Sequence, residues 1–123
     1  MNALLWILQV LLALVFLASG LLKLIKPKDV LTERLPILAA YRPLTVRLIG
    51  LVEVLGAIGV VVPLAVGVAP GLVPWAALGL ASVMVAAAVA HAERGDFKPL
   101  AMHAVLLVMA VAVIYGRSAD VPL

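Results

Sequence analysis

The chain contains no cysteine. That absence removes disulfides, thiolate nucleophiles, thiolate ligation of iron–sulfur clusters and thiol relays, and it leaves the compartment open. Charge is scarce as well. Only 12% of the 123 residues are charged, against roughly 25% in a soluble domain. A Gly-rich phosphate loop, a nucleophile elbow and the residues for a catalytic triad are all missing, which sets aside the common nucleotide-binding and acyl-transfer chemistries. The first residues lack the basic start of a secretory signal peptide. The run from Ala3 to Leu22 is broken only by Gln9 and Ser19 as clearly polar residues, so it reads as a retained span rather than a cleaved leader.

What is present is apolar. Hydrophobic residues make up 67% of the chain, and the mean hydropathy is +1.30. A soluble domain of this length leaves too much of its surface exposed to hide that much apolar area. The surplus must face lipid. Four apolar stretches, at about 3–25, 45–64, 72–92 and 99–115, are each close to the roughly 20 residues that a helix needs to cross a bilayer. Backbone groups in hydrocarbon must satisfy one another, and nothing alternates at a period of two, so helices are expected rather than barrel strands. The prediction is an all-α membrane protein: a four-transmembrane-helix bundle forming a single domain over 1–123. A short amphipathic segment is expected between spans 1 and 2, where Val30, Leu31, Leu35 and Leu38 have helical spacing between Pro27 and Pro43. The stretch from Pro63 to Pro74 carries no charge and five Pro or Gly residues, and predicts a tight, partly embedded turn.

With four spans, both termini lie on one side. Lys23, Lys26, Lys28, Arg34, Arg42, Arg47, Arg94 and Lys98 fall toward the 26–44 and 93–98 connections, and Arg117 alone falls toward the termini. The positive-inside rule then places those connections in the cytoplasm and both termini outside a cell (plasma) membrane. Trp6, Trp75 and Tyr115 fall at the outer interface, as an aromatic belt would. Apart from Gln9 and Arg117, the outer half reads as almost purely apolar, and the inner half holds the chemistry.

Ionisable groups within a span are costly and usually functional. Glu53 lies about two turns into the second span, roughly 10 Å along its axis. Lys23 ends the first span, Arg47 opens the second, His91 closes the third, and His103 lies one turn into the fourth. Taken singly, Lys23 and Arg47 read as snorkelling, His91 as interfacial, His103 as a satisfied structural histidine and Glu53 as half of an ion pair. Stripes at coiled-coil spacing suggest a second reading: Phe16, Ser19, Lys23; Ala77, Ala81, Met84, Ala88, His91; and His103, Leu107, Ala110, Ile114, Arg117. If these stripes face inward, Lys23, Glu53, His91 and His103 converge in one polar pocket. Such a pocket could exchange protons, hydrogen-bond a quinone entering from the lipid, or hold a lipid headgroup. No metal-ligand spacing is present, and two histidines on different spans make a weak haem site.

The run Phe16 to Leu24 (FLASGLLKL), followed by Pro27, resembles the first span of the DoxX-like membrane protein family. Arg47 to Ala57 (RLIGLVEVLGA), with Pro63, resembles its second. Ala86 to His91, then Glu93-Arg94-Gly95, and finally Tyr115-Gly116-Arg117, resemble its later signatures. The resemblance covers nearly the whole chain and matches at Lys23, Arg47, Glu53 and His91, but not at His103. It implies a four-helix membrane fold. It also implies a link to quinone chemistry, since the family takes its name from a small subunit of a quinone-reducing thiosulfate oxidoreductase.

The chain has no autonomous catalytic motif and no intrinsic cofactor motif, so redox work would need a bound quinone and a partner. The leading expectation is a quinone- or lipid-interacting subunit supporting a membrane redox partner. Its expected partners are the bilayer and a membrane or peripheral protein, or further copies of itself, and not nucleic acid. The alternatives are a structural or assembly subunit without its own ligand, and a small proton-coupled transporter.

Overall fold

A computed structural model describes residues 2–26 and 42–118 of the chain. It contains four long helices, α1 (Asn2–Ile25), α2 (Pro43–Gly59), α4 (Leu72–Glu93) and α5 (Leu100–Ser118), with a one-turn helix α3 (Val62–Val66) between α2 and α4. Four segments, with α2 and α3 counted together as Pro43–Val66, are long and apolar enough to cross a membrane. The amphipathic segment expected between Pro27 and Pro43 falls on 27–41 and lies outside the described residues.

Each helix turns one stripe inward. On α1 the buried residues are Leu5, Gln9, Leu12, Phe16, Gly20 and Lys23, and on α2 they are Val46, Gly50, Glu53 and Ala57. On α4 the stripe includes Ala77, Ala81, Met84 and His91, as its spacing predicts. On α5 it runs through His103, Leu106, Ala110 and Val113, so Leu106 and Val113 take the places expected for Leu107 and Ile114. The usual polarity is inverted. Gln9, Lys23, Glu53, His91 and His103 are buried, whereas Leu14, Leu55 and Val108 are 58–67% exposed. Only an apolar surrounding makes that arrangement favourable.

In space α1 packs on α2, α2 on α4, α4 on α5, and α5 back on α1, which closes a ring. Leu12, Phe16, Leu80, Ala110 and Val113 fill its middle. The α1–α2 crossing is set by glycine. A Cβ on Gly20 would lie 2.7 Å from the Gly50 carbonyl oxygen, and one on Gly50 would lie 2.8 Å from the Gly20 oxygen and 2.8 Å from Lys23 Cβ. Small residues allow this backbone-to-backbone approach in the absence of a hydrophobic driving force between helices.

The second span is not one continuous helix, as 45–64 would suggest. Pro63 has no N–H to donate and its ring would clash with the preceding turn, so α2 ends at Gly59 and the chain restarts as α3. The interruption leaves the Val60 carbonyl without a helical donor, and Gln9 Nε2 donates to it at 2.6 Å. Gly67, at φ +72°, ends α3. The link from Gly67 to Gly71 is exposed and begins later than the Pro63 boundary read from composition.

Two outcomes test this packing. Gly50→Ala should lower stability by about 1–3 kcal/mol through overpacking at the crossing, measured by reversible unfolding in mixed micelles. Gly79→Ala is the control, because a Cβ there meets nothing within 4 Å. It should hold or gain stability, by no more than about 1 kcal/mol. Gln9→Leu strands the Val60 carbonyl and should cost about 1–3 kcal/mol in the same assay.

Candidate functional site

The α1–α2 crossing brings two opposite charges together. Lys23 Nζ donates to Glu53 Oε1 at 2.7 Å and to Ser19 Oγ at 2.8 Å. Glu53 is 2% exposed and Lys23 9%. Lys23 therefore does not snorkel. Its ammonium is turned inward onto the carboxylate, where the two charges cancel in a medium that would penalise either alone. Only one carboxylate oxygen is used. Glu53 Oε2 is buried and has no hydrogen-bond partner.

Arg47 has a different role from the one its position in the sequence suggests. Its Nη1 donates to the main-chain carbonyls of Lys23 and, at 2.6 Å, of Lys26. Lys23 lies in the last turn of α1, where carbonyls lack intrahelical donors, and Lys26 follows the helix directly, so the guanidinium caps that end. Among the described residues no hydrogen bond or ion pair joins Arg47 to Glu53. Arg47, read from the sequence as snorkelling, is instead held on main-chain carbonyls and fixes the backbone that carries Lys23.

The two histidines meet across the α4–α5 interface. Their ring centroids are 5.1 Å apart with planes tilted by 30°. Both are 8% exposed, so His91, at the end of its span, is buried within the bundle. His91 Nδ1 lies 3.2 Å from Asp96 Oδ2, whereas His103 Nδ1 is buried without a partner. The local backbone explains the first contact. Gly95, at φ +72°, ends α4 in a Schellman turn: the Gly95 N–H donates to the Ala92 carbonyl at 3.0 Å and the Asp96 N–H to the His91 carbonyl at 2.9 Å. That turn folds Asp96 back beside the ring of His91.

Lys23, Glu53, His91 and His103 all line one cavity of about 270 Å³. The pocket inferred from the stripes is thus formed, Ser19 joins it, and Arg47 stays outside. His103, which the family resemblance does not carry, is a full member. The remaining wall is apolar and includes Phe16, Met84 and Leu106. Val15 and Met102 also contribute, and both are exposed on the outside of the bundle, so the cavity reaches the lipid-facing surface. Among the described residues no group of three or more His, Asp or Glu could hold a metal ion.

A second polar cluster occupies the end that carries the termini. Arg117 Nε donates to Gln9 Oε1 at 2.7 Å and Nη1 to Asn2 Oδ1 at 2.8 Å, and the guanidinium lies 5.7 Å from the centre of the Trp6 ring. With Gln9 bonded to Val60, this clasp ties α5 to α1 and α1 to the end of α2. The two residues set apart in that otherwise apolar half, Gln9 and Arg117, thus meet each other. Trp75 and Tyr115 are exposed as belt residues would be, but Trp6 is half-buried under Arg117. The clasp had a signal in the sequence, since Gln9 precedes Phe16 and Lys23 by one and two heptads on the same stripe.

Residues 7–113 match the profile of the DoxX-like family, a stretch that takes in most of each of the four long helices and every residue lining the cavity. No curated protein and no solved structure matches the chain. The buried polar residues, the four apolar helices and the profile agree on one statement: this multi-pass membrane protein belongs to the DoxX-like family.

Proposed function

We propose that the protein is a quinone-interacting subunit that supports a membrane redox partner, with the ring of the quinone entering the cavity from the lipid. The observation that carries this reading is a cavity open to the bilayer whose lining includes Glu53 and His103, each with one buried polar atom, Oε2 and Nδ1, that has no hydrogen-bond partner. Unsatisfied groups in a low-dielectric interior are costly and call for a ligand. The volume of about 270 Å³ lies near the lower end of small-molecule sites. It suits one substituted ring whose apolar tail remains in lipid.

Glu53 Oε2 accepts from a ring hydroxyl, and the His103 imidazole donates or accepts according to its tautomer. Lys23 holds Glu53 in place through its hydrogen bond to Oε1. Phe16, Met84 and Leu106 exclude water from around the ring. A bound quinone supplies the two-electron, two-proton couple, and the electrons come from a partner, since the chain has no redox centre motif of its own. The excess of Lys and Arg at the α1–α2 and α4–α5 connections supports a cytoplasmic location for that end and for the docking of the partner.

The 2.7 Å ion pair favours a second reading, in which Glu53 and Lys23 only hold the bundle together. The two readings separate in one set of variants. Glu53→Gln leaves Lys23 buried without its counter-charge and should cost about 3–5 kcal/mol of stability under either reading. Replacing both residues, Lys23→Met with Glu53→Met, should restore stability to within about 1–2 kcal/mol of the original. The proposal expects this double variant to bind a short-chain quinone at least about ten-fold more weakly in nanodiscs, a loss of about 1.4 kcal/mol. His103→Phe, which leaves the ion pair intact, should weaken binding to a similar degree. Unchanged, saturable binding by the stable double variant would leave only the structural role.

A further inference from the structure

We propose that Asp96, His91 and His103 form a proton path that joins the water at the α4–α5 connection to the buried cavity. The inference does not depend on which ligand the cavity takes.

The path begins at a group in contact with water. The Asp96 side chain is 49% exposed, and its Oδ2 lies 3.2 Å from His91 Nδ1, whose own side chain is 11% exposed. The aspartate is held there twice, by its side chain on the imidazole and by its main-chain N–H on the His91 carbonyl at 2.9 Å. Gly95 permits the second bond, because the turn needs a left-handed residue at that point. The imidazole is thereby oriented, with one nitrogen facing a surface carboxylate and the ring forming part of the cavity wall. The His103 ring, centred 5.1 Å away, continues the line. The two imidazoles are thus neighbours, and relay between them needs only that their facing nitrogens come within hydrogen-bond reach, directly or through one water.

The groups facing the histidines come from every long helix. Lys23 on α1 and Glu53 on α2 share the cavity with His91 on α4 and His103 on α5, and Asp96 closes the series at the surface. The Lys23–Glu53 pair is held together inside, so it needs an external partner to gain or lose a proton. The Asp96–His91 pair is that partner.

The transfer balances without any further reactant. With His91 Nδ1–H donating to the Asp96 carboxylate, a proton that reaches the other ring nitrogen from the His103 side sends the Nδ1 proton to Asp96 and on to water. Inward transfer is the reverse. A protonated Asp96 gives its proton to Nδ1 of the tautomer protonated on the other nitrogen, and that nitrogen's proton leaves toward His103. One proton has entered and one has left, and the imidazole has changed tautomer. Rotation of the ring, or the same steps in reverse, resets it. The path serves uptake and release equally.

The test uses the full chain in nanodiscs without quinone, so its failure is distinct from failure of the quinone reading. The chain has 2 histidines, which makes their infrared ring modes assignable. After a pH jump across the imidazole range, time-resolved infrared spectroscopy follows protonation of His103. Asp96→Asn should slow that step by about ten-fold or more, and Asp96→Glu should recover most of the rate. Asp96→Asn keeps the main-chain bond of the turn, so the fold is retained. His91→Gln leaves His103 as the sole imidazole and should be as slow as Asp96→Asn. If His103 protonates in Asp96→Asn as fast as in the parent chain, protons arrive through the cavity mouth and the path is refuted.

Discussion

Two charges cancelling inside an apolar bundle is the constraint from which much of this structure follows. Lys23 and Glu53 would each be expensive in hydrocarbon, and together they present no net charge. Bringing them within 2.7 Å requires α1 and α2 to touch through their backbones, which Gly20 and Gly50 allow. It also requires the last turn of α1 to be stationary, which Arg47 ensures by capping it. Because the ammonium takes one carboxylate oxygen and the Ser19 hydroxyl, the other carboxylate oxygen is left buried without a partner. The same interaction therefore sets the register of two helices and leaves one buried oxygen of the pair unused.

The bundle solves the opposite end by other means. There the cost arises from backbone rather than charge. Pro63 interrupts the second span and frees the Val60 carbonyl, and Gln9 satisfies it. The amide of Gln9 then has an oxygen to spare, and Arg117 from the last helix takes it. Between these two polar layers lies a dry middle of Leu12, Phe16, Leu80 and Val113. The layers are separate, so the chemistry of the cavity has no continuous polar route across the bundle among the described residues.

Much of this was legible in the sequence. Runs of apolar residues near bilayer length mark the spans, and the residues Ala77, Ala81, Met84 and His91 mark the inward face of α4 correctly. The phase of α5 was not readable, because Leu106 and Val113 satisfy the three-and-four spacing from His103 as well as Leu107 and Ile114 do. Convergence of Lys23, Glu53, His91 and His103 was a conditional reading, since it depends on how four helices rotate about their axes. The role of Arg47 could not be read at all. A cap on a neighbouring helix leaves no periodic trace, and its position near Glu53 in the sequence points to the wrong partner. Asp96 was hidden for a similar reason: it is a turn residue whose importance comes from a main-chain hydrogen bond back to His91.

The first helix depends throughout on chain that follows it. Gln9 reaches its partners only when Val60 and Arg117 are in place, and Lys23 only when Glu53 is. During synthesis α1 must therefore wait, first with an unmatched amine and then with an unmatched amide. The delay ends in stages, as the second span neutralises the amine and the last turn of the final helix closes the ring. Assembly of this bundle is ordered by polarity, and the N-terminal segment is the last to be fully satisfied although it is the first to be made.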